Sequence, residues 1–170
     1  QGSELLFALG STAVRAAALS ATFILVNRAA LALDIDPEEF DVIEPRLFRP
    51  GGKARVPVLQ IADHLINGAG FCQALGQKQP GSDRTLVEIL IDSILDEKKE
   101  YPLNELLRGN HERTCEQACY QCLLRYRNQP YHGLLDWRLG LAFLSALRNA
   151  SYPCGLDGHF DDYALRFWDE

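Results

Sequence analysis

Residues 111–132 read HERTCEQACYQCLLRYRNQPYH, and three cysteines, Cys115, Cys119 and Cys122, fall within eight of those positions. A tetrahedral metal needs four soft or borderline donors, and a Cys-x3-Cys-x2-Cys turn brings three thiolates to one point without help from distant chain. The expected cofactor is Zn2+. His111 is the favoured fourth ligand, because His-x3-Cys-x3-Cys-x2-Cys continues the same local spacing. His132 is the alternative, and Cys72 or Cys154 can approach only through the fold. Two plainer readings stand beside the metal: three small buried hydrophobes, or a disulfide. Five cysteines are an odd number, and no secretory signal is recognisable, so a reduced, cytoplasmic setting is expected. A catalytic zinc keeps one position open to water, with an acid or base beside it. Glu112 and Glu116 are near, but the His-x-Glu and Pro-Cys-x-x-Cys pairing of a zinc deaminase is missing. The expectation is a closed structural site in a protein that is not itself an enzyme.

Working outward, 170 residues with 47% apolar content suffice for one domain over 1–170, with a metal lobe at 108–132. The apolar stretch Ala16 to Val26 falls short of the roughly 20 residues a membrane span needs, so no membrane partner is expected. The net charge of −6 argues against coating nucleic acid by bulk attraction. Locally the balance reverses. Between Arg108 and Arg138 five arginines face three acids, which gives +2 there and −8 elsewhere.

Ser11 to Leu33 reads as a helix buried on most of its circumference. Gln1 to Ser3 lead into it so abruptly that the chain reads as a piece of a larger protein. Asp36-Pro37-Glu38-Glu39 reads as a short helix start, with Asp36 as cap and Glu39 closing a capping box. Phe40 to Phe48 and Val56 to Ala62 are strand-like runs around Pro50-Gly51-Gly52, a hairpin or two sheet neighbours. Asn67-Gly68-Ala69-Gly70 can cradle a phosphate or can be a plain strand-to-helix turn. Ser82 or Asp83 is expected to cap a helix whose apolar face carries Leu86, Val87, Leu90, Ile91, Ile94 and Leu95, before the polar Glu97 to Glu100 and a stop at Pro102. Gly133 to Arg148 reads as a last helix, and Tyr152 to Trp168 as a final strand or short helix. The fold class is α+β: helices packed around a small sheet, with a zinc-stapled loop.

The run Cys115-x3-Cys119-Tyr120-x-Cys122-Leu123-x2-Tyr126-x-Asn128-Gln129, followed by His132-Gly133-Leu134-Leu135-Asp136-Trp137-Arg138-Leu139, resembles the zinc-binding C-terminal domain of mitomycin-repair type DEAD/DEAH-box helicases. The Asp63 to Phe71 segment, DHLINGAGF, looks like that family's second motif. Similar domains occur in helicase-associated proteins of DISARM phage defence. The resemblance spans roughly Leu9 to Leu147. Family members often carry a fourth cysteine two residues before the first of the trio, where this chain has Arg113. The resemblance implies helicase motor domains of the same chain or complex as partners, and a role in DNA repair or antiviral defence. It implies no ATP binding or unwinding by this piece alone.

Tyr120, Tyr126 and Tyr131 alternate with Arg125 and Arg127, a mixture suited to stacking on bases and pairing with phosphates of single-stranded or duplex DNA. Gly68 and Gly70 join them as candidate nucleic-acid contacts. The plainer expectation is that the tyrosines pack the zinc lobe on the core, with Asn128 and His132 holding the loop. Trp137 and Arg138 are assigned to packing or to an ion pair. The competing function class is a protein-docking scaffold that joins a helicase motor to a partner.

Overall fold

A computed structural model describes residues 9–49, 51, 55–96, 106, 111–149 and 151–152, apart from the side chain of Glu112. Expectations for Pro50, Gly52, Glu97 to Glu100, Pro102, Arg108, Cys154 and the chain after Tyr152 lie outside these residues. The protein is α+β, and the described residues form helices and one two-stranded antiparallel sheet.

The first helix, α1 (Thr12–Leu33), has Ser11 at its N-cap and Asp34 in the left-handed region, φ 55°, at its C-cap. Its 22 residues are long and apolar enough to cross a bilayer, but 72% of its most apolar window is buried inside the protein. The apolar stretch therefore extends past the Asn27–Arg28 break where the sequence suggested it ended. Asn27 finds hydrogen bonds inside, and Arg28 reaches Ser93 Oγ at 3.0 Å. Alanines at positions 16, 18, 21, 29 and 30 are all buried, so partners approach this helix from several sides.

Asp36 caps a single 3-10 turn, Pro37–Glu39, by accepting the Glu38 N–H at 2.8 Å. Glu38, not Glu39, is the residue that meets the cap. Strands β1 (Phe40–Phe48) and β2 (Val56–Asp63) form the hairpin, pairing Phe40 with Asp63 and Phe48 with Val56. The register slips by one residue between Ile43 and Arg46. Pro45 lies in that slip, where its missing N–H removes no ladder bond. Phe40 is buried edge-on against Phe71, with ring centroids 6.1 Å apart.

A short helix, α2 (Phe71–Gly76), leads to α3 (Leu86–Ile94), which buries Leu90 and Ile94. Its cap is Thr85, not Ser82 or Asp83: Thr85 Oγ1 accepts from Glu88 N at 3.4 Å, and the Glu88 carboxylate accepts from Thr85 N at 2.7 Å. This Thr-x-x-Glu box outcompetes Ser82, which accepts from Arg84 N, and Asp83, which takes the Lys78 ammonium. The short α4 (His111–Thr114), a 3-10 stretch Tyr126–Tyr131 and α5 (Trp137–Arg148) follow.

Helix α5 starts at Trp137 rather than Gly133. Asp136 accepts from the Arg138 and Leu139 amides and so fixes the start, while the Leu134 and Leu135 amides close a turn on Tyr131 O. Helices α1 and α5 form the largest helix–helix contact and meet at Gly140 against Ser20 and Ile24. Trp137, fully buried, belongs to this core, and one hydrophobic cluster continues from α1 into Cys115, Cys122 and Leu123.

Candidate metal centre

Helix α4 ends where the thiol loop begins. Cys115 N donates to His111 O at 2.8 Å, and the next turn folds back on Cys119, whose carbonyl accepts from Cys122, Leu123 and Leu124 amides at 3.0–3.1 Å. Cys119 N points at Cys122 Sγ, 3.1 Å away. The outcome is that the donor atoms of His111, Cys115, Cys119 and Cys122 all lie within 4.8 Å of one another, and the four can hold a metal ion.

The edges of this group discriminate between bonding modes. Cys115 Sγ and Cys122 Sγ are 3.9 Å apart, Cys119 Sγ and Cys122 Sγ 3.7 Å, and Cys119 Sγ and His111 Nε2 3.6 Å. A disulfide would need about 2.05 Å. Zinc bonds of about 2.3 Å to sulfur and 2.05 Å to nitrogen give tetrahedral edges of about 3.8 Å for S···S and about 3.6 Å for S···N. These three edges fit that tetrahedron, and the remaining donor pairs lie within 4.8 Å.

Several outer contacts aim the ligands. His111 Nδ1 lies 3.3 Å from Leu106 O. A carbonyl only accepts, so Nδ1 carries the proton and the Nε2 lone pair faces the thiols. The His111 ring rests 5.7 Å from Trp137. Trp137 Nε1 and Arg138 both donate to Cys115 O, at 3.3 and 3.1 Å, and Arg138 also donates to Glu116 O. The Arg138 guanidinium lies 4.2 Å over the Trp137 ring. From the opposite side Asn27 Nδ2 donates to Cys122 O at 3.2 Å.

Burial pushes the Cys115 thiol up, and the neighbouring Cys122 and Cys119 add to it. Burial likewise raises Cys122, against the lowering effect of the Cys119 N–H. Thiols so placed ionise together only when a cation supplies the missing charge. Buried sulfur, a proton-fixed histidine and tetrahedral edges are the donor chemistry of a closed site.

His132 is engaged elsewhere: its Nε2 lies 2.9 Å from both Arg125 O and Asn128 Oδ1. Asn128 in turn donates to Leu123 O and accepts from Arg125 N, so this pair holds the loop that leaves the cysteines. Cys72 sits apart, 3.5 Å from Ile61 O, with its thiol pushed up to about 12 by burial and by Asp63.

The other candidate residues divide by their partners. Gly68 and Gly70 adopt φ of 68° and 83°, and the turn closes on Asp63, whose carboxylate accepts from Gly70 N and Cys72 N at 2.8 Å. The amides that would meet a phosphate are thus occupied by the protein's own anion. Tyr131 packs against Phe23 at 6.1 Å. Tyr126 is exposed, and Tyr120 is exposed with its ring edge-on to His132. Arg125 donates to Asn27 Oδ1 at 3.0 Å. Arg127 reaches Glu38 O and the His64 ring, with Asp41 at 3.8 Å.

The hydrogen bonds from the Cys72 and Gly70 amides hold the Asp63 carboxyl below its ordinary value of 3.8, the Cys72 bond being the larger cause. A group whose folded pKa is depressed adds stability above its unfolded pKa and loses it as pH falls through the folded value. The melting-temperature gap between wild type and Asp63→Asn is therefore expected to be constant at neutral pH and to close below pH 3.8. A gap unchanged down to pH of about 2 would remove this role for Asp63.

Asn27 and Leu106 O are the site contacts that motif reading missed, and Asn27 left a trace in the sequence as a polar residue inside an apolar helix. Trp137 and Arg138, expected to pack or to form an ion pair, do pack, Trp137 fully buried with the Arg138 guanidinium over its ring, and both also donate to the Cys115 carbonyl. Comparison with known proteins finds no family model, no curated protein and no solved structure that matches the chain.

Proposed function

We propose that this chain is a non-catalytic, zinc-binding accessory domain that contributes nucleic-acid binding to a helicase or helicase-associated protein in DNA repair or phage defence. The observation that carries the reading is the set of three thiols and one imidazole within 4.8 Å of one another, which can supply all four corners of a tetrahedral ion. Zinc in that set would be held by His111, Cys115, Cys119 and Cys122, and would supply a rigid crosslink. The likeness of the Cys115–Leu139 and Asp63–Phe71 runs to the helicase-associated domain supports the choice of motor. Beside the crosslink Tyr120 and Tyr126 stand 71% and 79% exposed, an unusual outlay of aromatic surface that suits stacking on unpaired bases.

Binding to a fluorescent single-stranded oligonucleotide, followed against salt, tests the proposal. Affinity is expected to fall linearly in log–log form as salt rises. Tyr120→Ala with Tyr126→Ala is expected to weaken it by a factor of about 10 or more. No binding at any salt would sink the nucleic-acid role. That outcome would favour the second reading, a protein-docking scaffold, which rests on the exposed apolar residues Ile43, Leu47, Phe48 and Val56 of the hairpin.

A further inference from the structure

A cleft of about 140 Å³ opens between α1, the start of β1 and the 3-10 stretch that leaves the cysteine loop. Phe23, Phe40 and Tyr131 supply ring surface, and Arg125 and Arg127 supply charge. The two arginines are not equivalent. Arg127 has Asp41 at 3.8 Å and the His64 ring at 3.0 Å. Arg125 is half-buried, and among the described residues its guanidinium meets only the neutral Asn27 Oδ1, with no carboxylate in reach. A partly desolvated cation with a neutral partner is an open electrostatic demand, which an anionic ligand satisfies.

Size narrows the ligand. An apolar cavity of about 150 Å³ accommodates a benzene-sized ring, so this cleft takes one ring and little more. Ring surface next to an unanswered guanidinium matches a planar heterocycle with an anion attached. We infer that the cleft binds one unpaired nucleotide of a nucleic-acid strand, the base between Tyr131 and Val42 and its phosphate on Arg125. This rests on the nucleic-acid reading above and deepens it. Two features favour a strand over an isolated anion. Tyr126, next to Arg125 in sequence though not part of the cleft lining, is exposed and available to stack on a neighbouring base, and Arg127, two residues on from Arg125, also lines the cleft. Glu38 and Asp41 also line the cleft. Asp41 is answered by His64 and Arg127, and Glu38 is exposed to solvent, so neither cancels the charge of Arg125.

The test compares oligonucleotide binding by the zinc-loaded chain and three variants: Arg125→Ala, Arg125→Lys and Val42→Phe. Val42→Phe fills the cleft from β1 without touching any charge. Arg125→Ala is expected to weaken binding by a factor of about 10 and to reduce the salt slope by about 0.7, the share of one phosphate on a single strand. Arg125→Lys keeps the slope. Val42→Phe weakens binding while keeping the slope, at unchanged zinc content and melting temperature. Wild-type affinity in both Arg125→Ala and Val42→Phe overturns the cleft, and if Tyr120→Ala with Tyr126→Ala still weakens binding, the broader nucleic-acid role survives that failure. Displacement of the strand by a phosphotyrosine peptide but not by a nucleoside monophosphate also overturns the inference, since the ligand would then be protein. Absence of oligonucleotide binding by the wild-type chain ends both readings.

Discussion

Cys122→Ser is expected to strip the metal from the protein and unfold residues 111–132, while the α1–α5 core persists. Cys122 is 4% exposed and sits within 3.9 Å of two other thiols. Its sulfur accepts the Cys119 amide and its carbonyl accepts Asn27, so the residue serves the metal and the loop at once. A hydroxyl is a poor zinc ligand at neutral pH and is too short to reach the same point. Structural zinc contributes about 10–16 kcal/mol to small domains at neutral pH, far more than a 22-residue loop with one short helix can supply by packing. Elemental analysis should find about one zinc per wild-type chain and a small fraction of that in the variant. His132→Ala separates the two histidines: it should keep full metal content, because His132 binds Arg125 O and Asn128. Undiminished metal in Cys122→Ser, or its loss in His132→Ala, would overturn the ligand set.

Gly140→Ala is the second large effect, and it acts where no ligand is involved. A Cβ at position 140 would lie 2.7 Å from Ile24 Cδ1 and 2.9 Å from both the carbonyl carbon and Cβ of Ser20. Ile24 can change rotamer, but Ser20 C is backbone, and Ser20 Oγ is tied to Asp136 N at 2.8 Å. The two helices must therefore separate. Overpacking of a rigid core costs about 1–3 kcal/mol, and backbone contact places this case at the upper end. The helix propensity of alanine returns up to about 1 kcal/mol. A net loss of about 2 kcal/mol lowers the melting temperature by roughly 4–8 °C for a chain of this size. Gly133→Ala is the control, since nothing lies within 4 Å of its added methyl. If Gly140→Ala melts with the wild type, the close helix contact is not as described.

Local signals carried most of the fold into the sequence. Apolar runs placed α1, the two strands and α3, because their periods survive without knowledge of neighbours. Boundaries failed where two capping groups competed. Ser82 and Asp83 looked as suitable as Thr85 until Glu88 decided between them, and Asp136 cut the last helix back from Gly133. The membrane-span length of α1 was misjudged because Asn27 and Arg28 look like a polar end, whereas their partners lie in the Cys122 loop and on Ser93. The four-residue metal set was legible for the opposite reason: its members are eleven positions apart at most. What surrounds it was hidden. The bond from Arg125 to Asn27 spans 98 residues, and that from Arg127 to Glu38 spans 89. Composition showed an arginine-rich patch, and only the fold shows that one of the two arginines in the cleft has no charged partner among the described residues.

Asn27 joins the cysteine loop to the cleft. Its two amide atoms face opposite clients, nitrogen to the carbonyl of Cys122 and oxygen to the guanidinium of Arg125, inside a helix where it is 3% exposed. A carboxamide is planar, so it cannot turn toward one without turning from the other. Demetallation would slacken its grip on the loop and shift the cation at the cleft. An occupant drawing on that cation would pull the same plane from the far side. Ion and occupant would thus report on each other through a single rigid lever.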